Sequence, residues 1–144
     1  MKIKFFFPQK TNLKDRNKLK LFVEQLFRKE NHKLESLVYI FTSDKEVLEM
    51  NKNFLNHNYY TDILTFDLSS SNSISGEVYI SIDRVKENAQ NHNTSFIEEL
   101  HRVIFHGALH LCGYKDKSKA EIAAMRKREN QYLKSYFKRF HMKH

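Results

Sequence analysis

Two imidazoles and a carboxylate stand close together in the stretch His106-Gly107-Ala108-Leu109-His110-Leu111-Cys112-Gly113-Tyr114-Lys115-Asp116. Histidines four apart on a helix project from one face, about one turn apart. Gly113 offers the chain a left-handed exit from that helix, so the next residues can fold back and bring Asp116 toward the same point. Two neutral nitrogens and one carboxylate oxygen make a three-ligand metal site with an open position, the arrangement that activates water. A bare pair of histidines is a weak signal, because such pairs are common on exposed helix faces. Gly107 between them strengthens it, since a missing side chain lets a substrate or another strand approach closely.

The spacing H-x-x-x-H-x-x-G-x-x-[H/D] resembles that of the metzincin metalloproteases, so a metzincin-like metal helix is expected. Those enzymes need a glutamate directly after the first histidine as general base. Gly107 stands there instead, which argues against peptide hydrolysis while leaving the metal geometry intact.

The remaining candidates are weaker. His101 lies five residues before His106, off the ligand face, and reads as a surface or supporting residue. His57, His92, His141 and His144 show no partner spacing. Cys112, the sole cysteine, cannot form an internal disulfide and reads as a small apolar helix residue in a reducing cytoplasm.

Several elements must position this stretch. Ile3 to Phe7 reads as a strand ended by Pro8. Leu19, Phe22, Val23, Leu26 and Phe27 recur at helical spacing between Asn12 and Glu30. Leu37 to Phe41 is continuously apolar, as expected of a strand buried on both faces. Ser43 with Glu46 opens a short helix by a capping-box pattern, and Asn51 to Tyr60 reads as the connection out of it. Thr61–Leu68 and Gly76–Ile82, joined by a serine-rich loop, read as a hairpin. Asp83 to Asn91 is a short helix. Ser95 with Glu98 starts the helix that carries His106 and His110, with Ile97, Leu100, Val103, Ile104 and Leu111 on its buried face. The histidines fall at the edge of that stripe, half buried. Ser118 with Glu121 opens a last helix, whose inner face is Ile122, Met125, Tyr132, Leu133, Tyr136, Phe137 and Phe140. Its outer face is basic, with Arg126, Lys127, Arg128, Lys134, Lys138, Arg139 and Lys143.

The order β-α-β-α-β-β-α-α-α implies an α/β (α+β) fold, a mixed sheet of about four strands packed with about five helices. A chain of 144 residues with no repeat or linker reads as a single domain, 1–144. There is no pattern of a signal peptide and no apolar run long enough for a membrane, so a cytoplasmic protein without membrane contact is expected. A net charge of +8 points to a polyanion, with nucleic acid as the leading candidate.

Three motifs then carry a resemblance. His106-Gly-Ala-Leu-His110-Leu-Cys-Gly-Tyr114 resembles the H-G-x-L-H-L-x-G-Y-D-H signature of the YbeY family of bacterial endoribonucleases. Gly76-Glu-Val-Tyr-Ile-Ser81 is similar to its G-D-I-x-I-S strand, and Thr61-Asp62-Ile63-Leu64-Thr65-Phe66 to its T-D-V-L-S-F strand. The resemblance implies a three-layer α/β fold with one zinc ion in a basic cleft. It implies a single-strand-directed endoribonuclease acting in ribosomal RNA maturation (the 16S 3′ end) and ribosome quality control. The partners it implies are precursor rRNA and ribosomal particles.

The chain departs from the family pattern at three places. Asp116 stands where a third histidine is usual, which makes a bound water less acidic and leaves iron or manganese open as the native metal. Glu77 replaces the usual aspartate. Leu55 falls where the family commonly has an arginine, so phosphate-binding charge must come from elsewhere. Lys115 and Lys117, flanking Asp116, are the RNA-binding candidates, and Glu77 is a candidate base only if its strand faces the cleft. The alternative function is a non-catalytic RNA-binding assembly factor with a structural metal.

Overall fold

Strand-forming runs of branched and aromatic residues build a four-stranded sheet at the centre of the chain. The computed structural model describes residues 2–140; His141, Lys143 and His144 lie outside them. The strands are β1 (Ile3–Phe6), β2 (Lys33–Thr42), β3 (Ile63–Asp67) and β4 (Ser73–Ser81). The helices are α1 (Arg16–Lys29), α2 (Asp44–Leu55), α3 (Ile82–Asn91), α4 (Phe96–Leu111) and α5 (Lys119–Arg139). The sheet order is β1-β2-β4-β3, with β1, β2 and β4 parallel and β3 antiparallel to β4. This is the mixed α/β fold the element order implies, and β3–β4 is the expected hairpin.

Strand periodicity divides the sheet into two unlike faces. Register places Ile3, Leu37, Gly76 and then Tyr39, Val78, Thr65 on one face. That face is buried under α4 and α1: the Tyr39 hydroxyl donates to the Ile104 carbonyl of α4 across 2.8 Å. The other face carries Val38, Ile40, Glu77, Tyr79 and Phe66, with α2 against its β3 edge through an edge-to-face contact of Phe54 with Phe66. Val38 and Ile40 are therefore only half-buried, and β2 is not buried on both faces as its apolar run suggests.

Local chemistry sets the helix starts. Ser43, Ser95 and Ser118 each accept a hydrogen bond from the backbone N–H three residues on. In α5 the box is reciprocal, since Glu121 also accepts from the Ser118 N–H. Asp15 adopts a left-handed backbone with φ 55°, which starts α1 at Arg16 instead of Asn12. Strand β4 begins at Ser73, before the expected Gly76, and β2 extends back to Lys33. Ile97 and Ile122, assigned to buried faces by periodicity, are 39% and 49% exposed. Each lies in the first turn of its helix, beyond the edge of the core. Among the described residues no helix is long and apolar enough to cross a membrane.

Two glycines set how closely α4 approaches the sheet. A β-carbon on Gly107 would lie 2.9 Å from Val78 Cγ1 and 3.1 Å from Ile63 Cδ1. One on Gly76 would lie 2.8 Å from a Leu111 methyl carbon. Strands β3 and β4, not a substrate, occupy the space that Gly107 leaves open.

Candidate active site

Helix α4 carries both histidines toward a cleft of about 680 Å3 that it lines from Glu99 to His110. Their rings are nearly parallel, with centroids 6.4 Å apart, as the four-residue spacing predicts. His106 is half-buried, but His110 is exposed. Gly113 has φ 104° and no atom near the position of a β-carbon, so its role is the left-handed exit alone. The loop that follows brings Asp116 Oδ2 to 3.3 Å from His106 Nε2. The structure thus draws two of the three expected ligands together.

Both imidazoles are held from behind. His106 Nδ1–H donates to Glu129 Oε2 of α5 across 2.6 Å, and His110 Nδ1–H donates to the Tyr114 carbonyl across 3.1 Å. A carboxylate and a carbonyl can only accept here, so the Nδ1 proton is fixed on each ring. Neutral rings then present bare Nε2 atoms, the tautomer that a metal-ligating histidine needs. Burial disfavours the His106 imidazolium, but the Glu129 hydrogen bond and the Glu129 and Asp116 charges outweigh it and raise its pKa.

The donor set suits a divalent ion. A nitrogen and an oxygen bound to one tetrahedral zinc would lie roughly 3.4 Å apart, close to the His106–Asp116 separation. Among the described residues, however, no three His, Cys, Asp or Glu side chains stand close enough together to hold a metal ion. Binding one requires the side chains to draw in, and His110 and Asp116 are both exposed. Cys112 takes no part. It is buried in the core, and burial together with the Glu30 charge pushes its thiol up to about 12.

The surroundings differ from a basic cleft. Asp62, Glu99, Asp116 and Glu129 line it against Arg102, Lys117 and Arg126, so carboxylates outnumber fixed cations. Burial raises the pKa of Asp62 and of Glu99. Arg102 Nη1 lies 3.2 Å from Glu129 Oε1, which ties the same carboxylate to a cation and to His106. Lys117 borders the cleft; Lys115 is not among its lining residues.

Three comparisons place the chain. The profile of the family described as Endoribonuclease YbeY matches residues 6–137. The chain belongs to the YbeY family of endoribonucleases. It is 46% identical over 132 residues to Endoribonuclease YbeY of Cytophaga hutchinsonii, covering 90% of this chain and 92% of that one. It is 50% identical over 101 residues to Endoribonuclease YbeY of Parabacteroides distasonis, covering 70% and 71%. The solution structure of TM1509 from Thermotoga maritima superposes with a TM-score of 0.64 at 28% identity, covering 96% of this chain and 91% of that one.

Against the YbeY pattern, the structure settles where two of the departures point. Glu77 pairs in register with Val38 and Phe66 on the face away from α4 and accepts from the Tyr79 hydroxyl across 3.1 Å. It cannot serve the histidines as a base. Leu55 does line the cleft, and Arg102 and Arg126 supply cations there. One other reading needs correction. His101 is neither a surface residue nor a support for the site. It is a core histidine stacked on Tyr136 with centroids 5.2 Å apart, and its Nδ1 bonds the Ile97 carbonyl across 2.7 Å. His57, which has no ligand spacing, stacks on Tyr59 two residues on.

Periodicity missed Glu129 as a functional residue, although it was detectable. It falls four after Met125 and three before Tyr132, inside the apolar stripe of α5, and is only 4% exposed. A carboxylate in a core stripe needs a cationic or hydrogen-bonding partner.

Proposed function

We propose that this chain is a metal-dependent endoribonuclease that cleaves single-stranded RNA, with precursor rRNA in ribosomal particles as its substrate and with His106, His110 and Asp116 holding one zinc ion. The observation that carries the reading is the fixing of both Nδ1 protons, by Glu129 and by the Tyr114 carbonyl. Such outer partners orient metal-ligating imidazoles, and a pair of histidines serving only as surface has no need of them. A divalent ion held there would supply Lewis-acid activation of water and offset charge on phosphate oxygens.

The chain's own residues do the rest. Glu129 aligns His106 and is itself neutralised by Arg102. Arg126 and Lys117, both exposed on the cleft, meet phosphate. The carboxylate surplus favours a cation deep in the cleft, and the exposed bases favour an anion at its mouth. A purely structural metal would be enclosed by four protein ligands; three donors in an open cleft fit catalysis better.

Elemental analysis of freshly purified untagged protein, with cleavage assays on a single-stranded RNA, tests the reading. Chelator should stop cleavage, zinc should restore it, and His110→Ala should abolish it. Full-rate cleavage by His110→Ala would sink the metal mechanism. RNA binding without cleavage in the metal-loaded protein would establish the assembly-factor alternative instead.

A further inference from the structure

The connection from α2 to β3 places two flat rings on the cleft that also holds His106 and His110. His57 and Tyr59 both line it. Their rings stack with centroids 5.1 Å apart and planes inclined by 21°, and Tyr59 Oη lies 3.0 Å from His57 Nδ1. His57 covers one face of the tyrosine ring, and the residue is nevertheless 56% exposed. More than half of the tyrosine therefore remains accessible from the cleft side of the segment.

This exposure is not that of a slack loop. Asn51, in α2 and 1% exposed, clamps the segment at both ends. Its side-chain Nδ2 donates to the Tyr59 carbonyl across 2.9 Å, and its backbone carbonyl accepts from the His57 N–H across 3.0 Å. The buried Asn51 thus ties the backbone of both residues to α2, the amide holding Tyr59 and the main-chain carbonyl holding His57.

Neighbouring aromatics are used differently. Tyr60 is equally exposed, but the Arg84 guanidinium lies over its ring at 4.9 Å, and it does not line the cleft. Phe54 packs edge-on against Phe66 on the opposite sheet face. Among the described residues, only the His57–Tyr59 pair combines an exposed stacked ring with a position beside the histidine site and the Arg126 and Lys117 cations.

An exposed aromatic ring beside cations matches an unpaired nucleobase joined to its phosphate. Bases in a duplex have both faces occupied, whereas bases of a single strand can be splayed onto aromatic side chains. We propose that the His57–Tyr59 pair is a stacking wall that receives an unpaired base of the RNA and so selects single strands. This rests on the endoribonuclease reading above and adds the residues that read strandedness.

The test measures binding of a labelled single-stranded adenine oligoribonucleotide to chelator-treated full-length protein, alongside cleavage by metal-loaded protein. Tyr59→Leu should weaken binding roughly five-fold or more, at every salt concentration and without changing the salt dependence, because stacking involves no counterion release. It should raise KM for single-stranded RNA more than it lowers kcat. Tyr59→Trp should restore binding, and its fluorescence should be quenched by the oligonucleotide; the chain has no other tryptophan. Tyr60→Leu should bind as the unaltered chain does. Circular dichroism of each variant separates these effects from misfolding, and the aromatic rescue keeps the test open if Tyr59→Leu is destabilised. Binding by Tyr59→Leu within two-fold of the unaltered protein overturns the stacking wall and leaves the nuclease reading intact. So does failure of Tyr59→Trp to bind while folded. If the unaltered chain binds no single-stranded RNA, the nuclease reading fails and the wall with it.

Discussion

Glu129 reaches across from α5 to accept the His106 Nδ1–H hydrogen bond across 2.6 Å, so the carboxylate that orients the site lies 23 residues beyond the imidazole it serves. The same carboxylate contacts Arg102, and its burial leaves it no access to solvent as an alternative partner.

Glu129→Gln keeps the shape and removes the charge. Zinc affinity, read by competition with a chromophoric chelator, should fall about 10- to 100-fold, the usual effect of deleting an outer-sphere partner. Cleavage at saturating zinc should recover in part. Unchanged affinity would remove Glu129 from the site.

Gly107→Ala places a methyl group 2.9 Å from Val78 Cγ1 and should cost about 1–3 kcal/mol by overpacking, measured by urea unfolding. Because the clash is with Val78, the double variant with Val78→Ala should be more stable than the sum of the single effects. Strict additivity would mean that α4 tolerates the methyl group by shifting as a body.

Tyr114 connects three elements. Its hydroxyl donates to Glu30 Oε1 and accepts from Arg128 Nε, each across 2.9 Å, while the Tyr132 hydroxyl donates to the other Glu30 oxygen. Tyr114→Phe should lower stability by about 1–2 kcal/mol. It should also weaken zinc binding, since the Tyr114 carbonyl holds His110 and Asp116 follows two residues on. Loss of stability with zinc affinity intact would show that the loop is positioned without this anchor.

The buried His101 gives a signed pH effect. Burial lowers its pKa below the ordinary 6.5. Above pH 6.5 it is neutral in both folded and unfolded chains and costs nothing. As pH falls below 6.5 the unfolded chain takes up a proton that the folded one resists, so stability drops by up to about 1.4 kcal/mol per pH unit until the folded value is reached. The raised His106 acts oppositely, stabilising the metal-free fold at low pH and losing that contribution as pH rises through its folded value. Both chains contain His106, so its effect cancels in the difference. In chelator, the stability of the unaltered chain relative to His101→Phe should therefore fall as pH falls from 7 to 5. A pH-independent difference would contradict a neutral buried His101.

What could be read from residue order was mostly local. The three serine caps, the parallel imidazoles and the Gly113 exit depend on neighbours within six residues, and each is present. Polar Lys33, Glu35 and Ser36 gave no strand signal, yet β2 includes them because its backbone pairs with Ser73–Ser75 of β4 across a register shift between Leu34 and Ser36. Ladder hydrogen bonds there override hydropathy. The five-residue offset turns His101 away from the ligand face, but helical spacing carries no sign that Tyr136 and Phe137 of α5 close over it. Asn51 likewise reads as a connection residue until its two bonds to the 57–59 segment are seen.

The dependence of α4 on α5 also orders events during synthesis. Of the described elements α5 is translated last, so His106, His110 and Asp116 have all been made before Glu129 exists. Tyr132, the second anchor of Glu30, comes later still. A chain still attached to its ribosome, surrounded by RNA, therefore has an unaligned His106 until α5 has emerged and docked.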